Sequence, residues 1–146
     1  MSNKLILVVE DNPDHLELTV LTLKEHGVAA EIVVACDGAG ALDFLFGRGE
    51  HADRDTKRQP NLVLLDMRLP KLSGLDVLRS IRAERLTAFV PVIMLTSSSE
   101  ISDMKASYLN GANGFVRKPV DFESFSEKLN GMQAYWLNVN ETVSPD

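Results

Sequence analysis

The sequence predicts an α/β fold, a doubly wound five-stranded parallel sheet, on three observations. Short apolar runs of strand length recur along the chain, helical periods fill the intervals between them, and the connections are short. The runs are Leu5–Val9, Ile32–Ala35, Leu62–Leu65, Val92–Leu95 and Phe115–Val116. The first and third are continuous rather than alternating, as expected when helices cover both faces of a strand. Strict alternation of strand and helix leaves few right-handed topologies, of which the flavodoxin-like order 2-1-3-4-5 is the commonest for five strands.

Each helix has its own signature. Leu16, Val20 and Leu23 follow the first run at spacings of three and four, with Asn12 as cap and Pro13 at the first helical position. Leu42, Leu45 and Phe46 mark the second period, and Leu75, Leu78 and Ile81, preceded by Ser73, the third. Ile101, Met104 and Tyr108 follow Ser99, and Phe122, Phe125, Leu129, Met132 and Trp136 follow Asp121. Gly27 and Gly111 close two of the helices. One connection is out of proportion, GRGEHADRDTKRQP at 47–60, where such loops usually take about 2–6 residues. It is an exposed insertion, either a solvated loop or a contact for a particular partner.

Composition excludes several classes. The 146 residues are 45% apolar and 25% charged, usage that suits one globular domain and neither a disordered nor a fibrous chain. Residues 1–140 are assigned to that domain and 141–146 to a tail, with no output domain expected. No apolar run approaches the roughly 20 residues of a membrane span, and the amino terminus lacks a secretory signal, so a cytoplasmic location is expected. Cys36 is the only cysteine; it suits a reducing compartment and is expected to be a small buried apolar residue. A net charge of −6 argues against a nucleic-acid partner. His15, His26 and His51 are scattered and are placed on the surface.

In a parallel sheet of this order, ligands sit at the carboxyl ends of the strands. Glu10 and Asp11 end the first run, Asp66 the third, Thr96-Ser97-Ser98 the fourth and Lys118-Pro119 the fifth. Three carboxylates together repel one another, and a hard divalent ion such as Mg²⁺, which takes oxygen ligands, relieves that repulsion. Glu10 and Asp11 suit the acidic cup. Asp66 can then act as a nucleophile toward phosphorus, with Lys118 and Thr96 holding two oxygens of the transferring group.

The motifs LILVVEDNP, LVLLDMRLPKLSGLDVL, PVIMLTSS and GANGFVRKP, in order from about Lys4 to Leu137, resemble the receiver domains of two-component response regulators. The resemblance implies that Asp66 is the phosphoacceptor and that Glu10, Asp11, Asp66 and the backbone carbonyl of Arg68 surround Mg²⁺. It makes Thr96 the switch hydroxyl, Phe115 the switch aromatic and the Lys118–Pro119 bond cis. Phe115 lacks the hydroxyl of the tyrosine common at its position, and a plain core aromatic remains the alternative. Arg68 and Ser98 flank the acceptor, where side chains tune the access of water. The implied function is acceptance of a phosphoryl group from a sensor histidine kinase, switching the face formed by the fourth helix, fifth strand and fifth helix for dimerisation, partner binding or phosphorelay. Such a protein catalyses only its own phosphorylation and dephosphorylation.

The long loop and the ending EKLNGMQAYWLNVNE are similar, more narrowly, to the single-domain regulators that partner bacterial phytochrome kinases. The last helix carries more apolar bulk than one face against a sheet absorbs, so Tyr135 and Trp136 are assigned to a homodimer interface, against a monomer with a folded-back tail. Gly131 weakens that helix, whose far end is expected to order on association. Two other functions compete. A haloacid-dehalogenase-type phosphotransferase needs a second acid two residues after its nucleophile, where this chain has Arg68. An adaptor that binds without phosphorylation is expected to lack the acceptor or the lysine.

Overall fold

A computed structural model describes residues 4–25, 30–118 and 121–145. Strand β1 (Lys4–Val9) leads to helix α1 (Pro13–Glu25), then β2 (Ala30–Ala35) and α2 (Gly38–Phe46). After the insertion come β3 (Leu62–Leu65), α3 (Gly74–Ala83), β4 (Val92–Thr96), α4 (Ile101–Leu109), β5 (Gly114–Arg117) and α5 (Phe122–Gln133). All strand pairs are parallel and the order is β2-β1-β3-β4-β5.

The two-residue repeat of a strand sorts the core into two layers. Leu5, Leu7, Val9, Val63, Leu65, Val92 and Met94 face α2 and α3, packing on Leu45, Val77, Leu78 and Ile81. Ile6, Val8, Leu62, Leu64, Ile93 and Leu95 face the other way, onto Leu23 of α1 and Phe125 and Leu129 of α5. Nearly all of these side chains are fully buried, at about 1.5–3 kcal/mol each, which is why, after Lys4 at the start of β1, the central strands contain no polar residue until their carboxyl ends.

The caps follow the sequence at three helices. Asn12 Oδ1 accepts the backbone N–H groups of Asp14 and His15, Ser73 and Asp76 form a reciprocal capping box, and Asp121 accepts from Ser124. At α4 the expected cap, Ser99, is not used: Glu100 is the N-cap and makes no side-chain bond, while Ser98 Oγ accepts the Glu100 N–H at 3.2 Å. Gly27 and His26 lie outside the described residues.

Three further expectations change. Cys36 is exposed rather than buried, because β2 ends at Ala35, one residue earlier. The 47–60 insertion is built rather than merely solvated. It forms a turn of 3₁₀ helix at Gly49–His51, and Arg54 lies 4.0 Å from the centre of the Phe44 ring. Arg54 also donates to the carbonyls of Phe44, Asp55 and Arg58. The last helix continues past Gly131 and widens into a π-helical turn over Ala134–Val139. That turn buries Leu137 and half-buries Trp136 against the chain's own core, leaving Tyr135 48% exposed.

Candidate functional site

The last ladder hydrogen bonds of the sheet position the polar residues at its carboxyl edge. Glu10 N–H donates to Ala35 O at 3.1 Å, Asp66 N–H to Val9 O at 3.0 Å and Lys118 N–H to Thr96 O at 2.7 Å. Each backbone is thus fixed by a neighbouring strand while its side chain projects past the edge. Glu10, Asp66 and Thr96 are buried, Asp11 is exposed, and the Lys118 side chain is only 10% exposed.

One carboxylate oxygen from each of Glu10, Asp11 and Asp66 lies within 4.8 Å of the other two. Lys118 Nζ makes a short ion pair with Glu10 Oε1 and stands 3.9 Å from Asp66 Oδ2. Thr96 Oγ1 accepts the Ser98 N–H at 3.1 Å, and Asp66 Oδ1 accepts the Arg68 N–H at 3.4 Å. The sequence-derived set Glu10, Asp11, Asp66, Thr96 and Lys118 therefore meets at one edge. Phe115 is half-buried against the α2–α3 side of the core, two residues before Arg117. The expected cis bond at Pro119 lies outside the described residues.

The electrostatics show a site short of positive charge. Burial, then a hydrogen bond with Glu10, raise the Asp66 carboxyl from its ordinary 3.8 to about 7, against the opposing charge of Lys118. Burial also opposes ionisation of Glu10, but hydrogen bonds from Asp66 and Lys118 and the lysine charge outweigh it, leaving Glu10 below the usual range. One ammonium does not balance three carboxylates. The donors are all hard oxygens, two of them held by buried backbone, so the residues fit a small divalent cation such as Mg²⁺ or Mn²⁺.

Two neighbours were not singled out in the sequence. His15, in the first turn of α1, brings Nδ1 to 3.4 Å from Lys118 Nζ and 3.9 Å from Glu10 Oε1. Asp103, in the first turn of α4, accepts from Ser98 Oγ at 2.5 Å and Arg68 Nη2 at 3.3 Å. Each touches one residue five positions away, but the contacts that draw it to the site, His15 with Lys118 and Asp103 with Arg68, join elements remote in the chain.

This edge has a counterpart among known proteins. Residues 6–130 match the model of the response regulator receiver domain. The chain belongs to that family. Among its relatives is the probable methanogenesis regulatory protein FilR2 of Methanothrix harundinacea, 37% identical over 97% of this chain and 88% of that protein. The response regulator Rcp1 of Synechocystis is 33% identical over 97% of this chain and 92% of its own length. Its Mn²⁺-bound crystal structure superposes on this receiver with a TM-score of 0.87 over 97% of this chain and 99% of that one, at 31% identity. The phosphorylated cyanobacterial phytochrome response regulator RcpA matches with a TM-score of 0.90, at 30% identity, over 98% and 100% of the two chains. The receiver is thus a signalling domain, similar along its length to single-domain phytochrome regulators. Among its described residues no helix is long and apolar enough to cross a membrane.

Proposed function

We propose that this receiver is a Mg²⁺-dependent phosphoryl-accepting switch, with Asp66 as the acceptor and a sensor histidine kinase, of the phytochrome type, as the donor. The observation that carries this reading is the meeting of Glu10, Asp11 and Asp66 oxygens within 4.8 Å beside the Lys118 ammonium. Glu10, Asp11, Asp66 and the carbonyl of Arg68 would hold the cation. When bound, it supplies the positive charge that keeps the carboxylates ionised and neutralises the transferring group. An ionised Asp66 oxygen forms the bond to phosphorus as the bond to the donor histidine nitrogen breaks, and that nitrogen leaves with the electron pair. Lys118, anchored by its backbone on Thr96, holds one phosphoryl oxygen, and the Thr96 hydroxyl donates to another.

The output reading is that phosphorylation shifts Thr96 and Phe115 and with them the α4-β5-α5 face. Ile101 (67% exposed) and Leu109 (86%) on α4 lie open there, which suits dimerisation through this face and the last helix. Tyr135, outward-facing, suits that interface, whereas Trp136 contributes through its exposed half only. The function expected is that of a cytoplasmic receiver. A phosphotransferase reading is disfavoured because Arg68 stands where a second acid is needed.

Incubation with Mg²⁺ and acetyl phosphate, read by intact mass, tests the acceptor. Wild type is expected to gain one phosphoryl group and Asp66→Asn none; an equal gain in both overturns the assignment. Sedimentation of wild type and Leu109→Asp, with and without phosphodonor, tests the dimer. Monomers throughout refute it.

A further inference from the structure

The two loops at the mouth of the site carry the same device. Arg68, two residues after Asp66, donates its backbone N–H to Asp66 Oδ1, and Ser98, two residues after Thr96, donates its backbone N–H to Thr96 Oγ1. The side chains of both then converge on one atom. Asp103 Oδ2 accepts from Ser98 Oγ at 2.5 Å and from Arg68 Nη2 at 3.3 Å. A single carboxylate oxygen in the first turn of α4 therefore spans the loops that bear the acceptor and the hydroxyl.

The two partners are not held equally. Ser98 Oγ also accepts the Glu100 N–H at 3.2 Å, so it is fixed from both sides. Asp103 is seated in its helix, its carbonyl accepting from Ser107 Oγ at 2.8 Å, with its side chain 23% exposed. Arg68 is 69% exposed and reaches Asp103 on a long, solvated stem. It is the movable member.

A phosphoryl group on Asp66 places a dianion beside the residue whose backbone already bonds the acceptor. Guanidinium pairs well with phosphoryl oxygens, often through two parallel N–H bonds, so Arg68 then has two anions competing for it. We propose that Asp103 is a positioning residue that holds Arg68 off the acceptor in the unphosphorylated receiver, and that transfer of Arg68 to the phosphoryl oxygens releases the first turn of α4. This deepens the reading of Asp66 as the phosphoacceptor and rests on it. The Arg68–Asp103 pair then opposes phosphoryl binding, and α4 senses the acceptor through a side chain as well as through Thr96.

Beryllium trifluoride with Mg²⁺, a phosphoryl mimic, is titrated calorimetrically into the full chain as wild type, Asp103→Asn, Asp103→Ala, Arg68→Ala and the Arg68→Ala/Asp103→Asn double variant. Asp103→Asn keeps the side chain's size and a hydrogen bond to Ser98 while removing the charge. Both Asp103 variants are expected to bind the mimic about two- to five-fold more tightly, the range of an exposed ion pair, with the gain shrinking in high salt. The gain should vanish when Arg68 is already alanine. Unchanged or weaker binding in Asp103→Asn, or a gain that survives loss of Arg68, overturns the inference while leaving the acceptor standing. No binding by wild type overturns both.

Discussion

Replacing Asp66 by Asn removes the charge that the folded protein accommodates worst. The Asp66 carboxyl is raised from 3.8 to about 7, chiefly by burial, and the residue is only 8% exposed, so solvent screens little of the cost. At about 1.4 kcal/mol per pKa unit, a shift of about three units destabilises the metal-free fold by up to about 4 kcal/mol once the group is ionised. The sign follows from linkage. A group whose folded pKa lies above its unfolded value gives its full stability below about pH 4 and loses it as pH rises through about 7. In chelator at pH 8, Asp66→Asn should therefore be more stable than wild type by about 2–4 kcal/mol, or about 6–12 °C in melting temperature for a chain of this size. At pH 5 the advantage should fall to less than half of its pH 8 value, vanishing only below about pH 4. Millimolar Mg²⁺ should narrow it at pH 8, because binding stabilises the intact acidic set more than the amide variant. Thermal and urea unfolding of both proteins at the two pH values, with and without Mg²⁺, measure all three expectations. An advantage that is absent at pH 8, or that does not change with pH, refutes the claim that a strained carboxylate sits at this edge.

Other perturbations probe the scaffold. Arg82 donates to the carbonyls of Gly111, Ala88 and Val90 and to Asn113 Oδ1, joining α3 to the turn before β5, so Arg82→Ala should cost about 2–4 kcal/mol in urea unfolding. A Cβ at Gly131 would meet nothing within 4 Å, and Gly131→Ala should raise stability by about 0.5–1 kcal/mol, seen as a melting temperature about 2–3 °C higher. Arg54→Ala removes the stack on Phe44 and three carbonyl contacts, and should speed limited proteolysis within 47–60 several-fold while costing about 1–3 kcal/mol of stability.

What was legible in the sequence follows from the range over which each interaction acts. Continuous apolar runs such as Leu62–Leu65 mark central strands because both faces of each residue are covered, and β3 has those bounds in the structure. Glu10, Asp66, Thr96 and Lys118 could be placed together because parallel strands all present their carboxyl ends to one edge. The failures come from geometry without a period. Cys36 looked like a core residue by type, yet one position beyond Ala35 turns it to solvent. Ser99 is a good cap by chemistry, but the hydroxyl that bonds the entry to α4 belongs to Ser98. Arg54 seemed one more charge in a polar loop, whereas the nearby aromatic ring and carbonyls make it an anchor. The half-burial of Trp136 depends on a widened helical turn that no spacing rule anticipates.

The pairing of Glu10 with Lys118 joins positions 108 residues apart. During synthesis β1 and β3 leave the ribosome long before that ammonium, so the acidic edge lacks its own balancing charge until β5 emerges. On the proposed reading of Asp66 as acceptor, a chain stalled or clipped before β5 would lack the lysine that holds the transferred group.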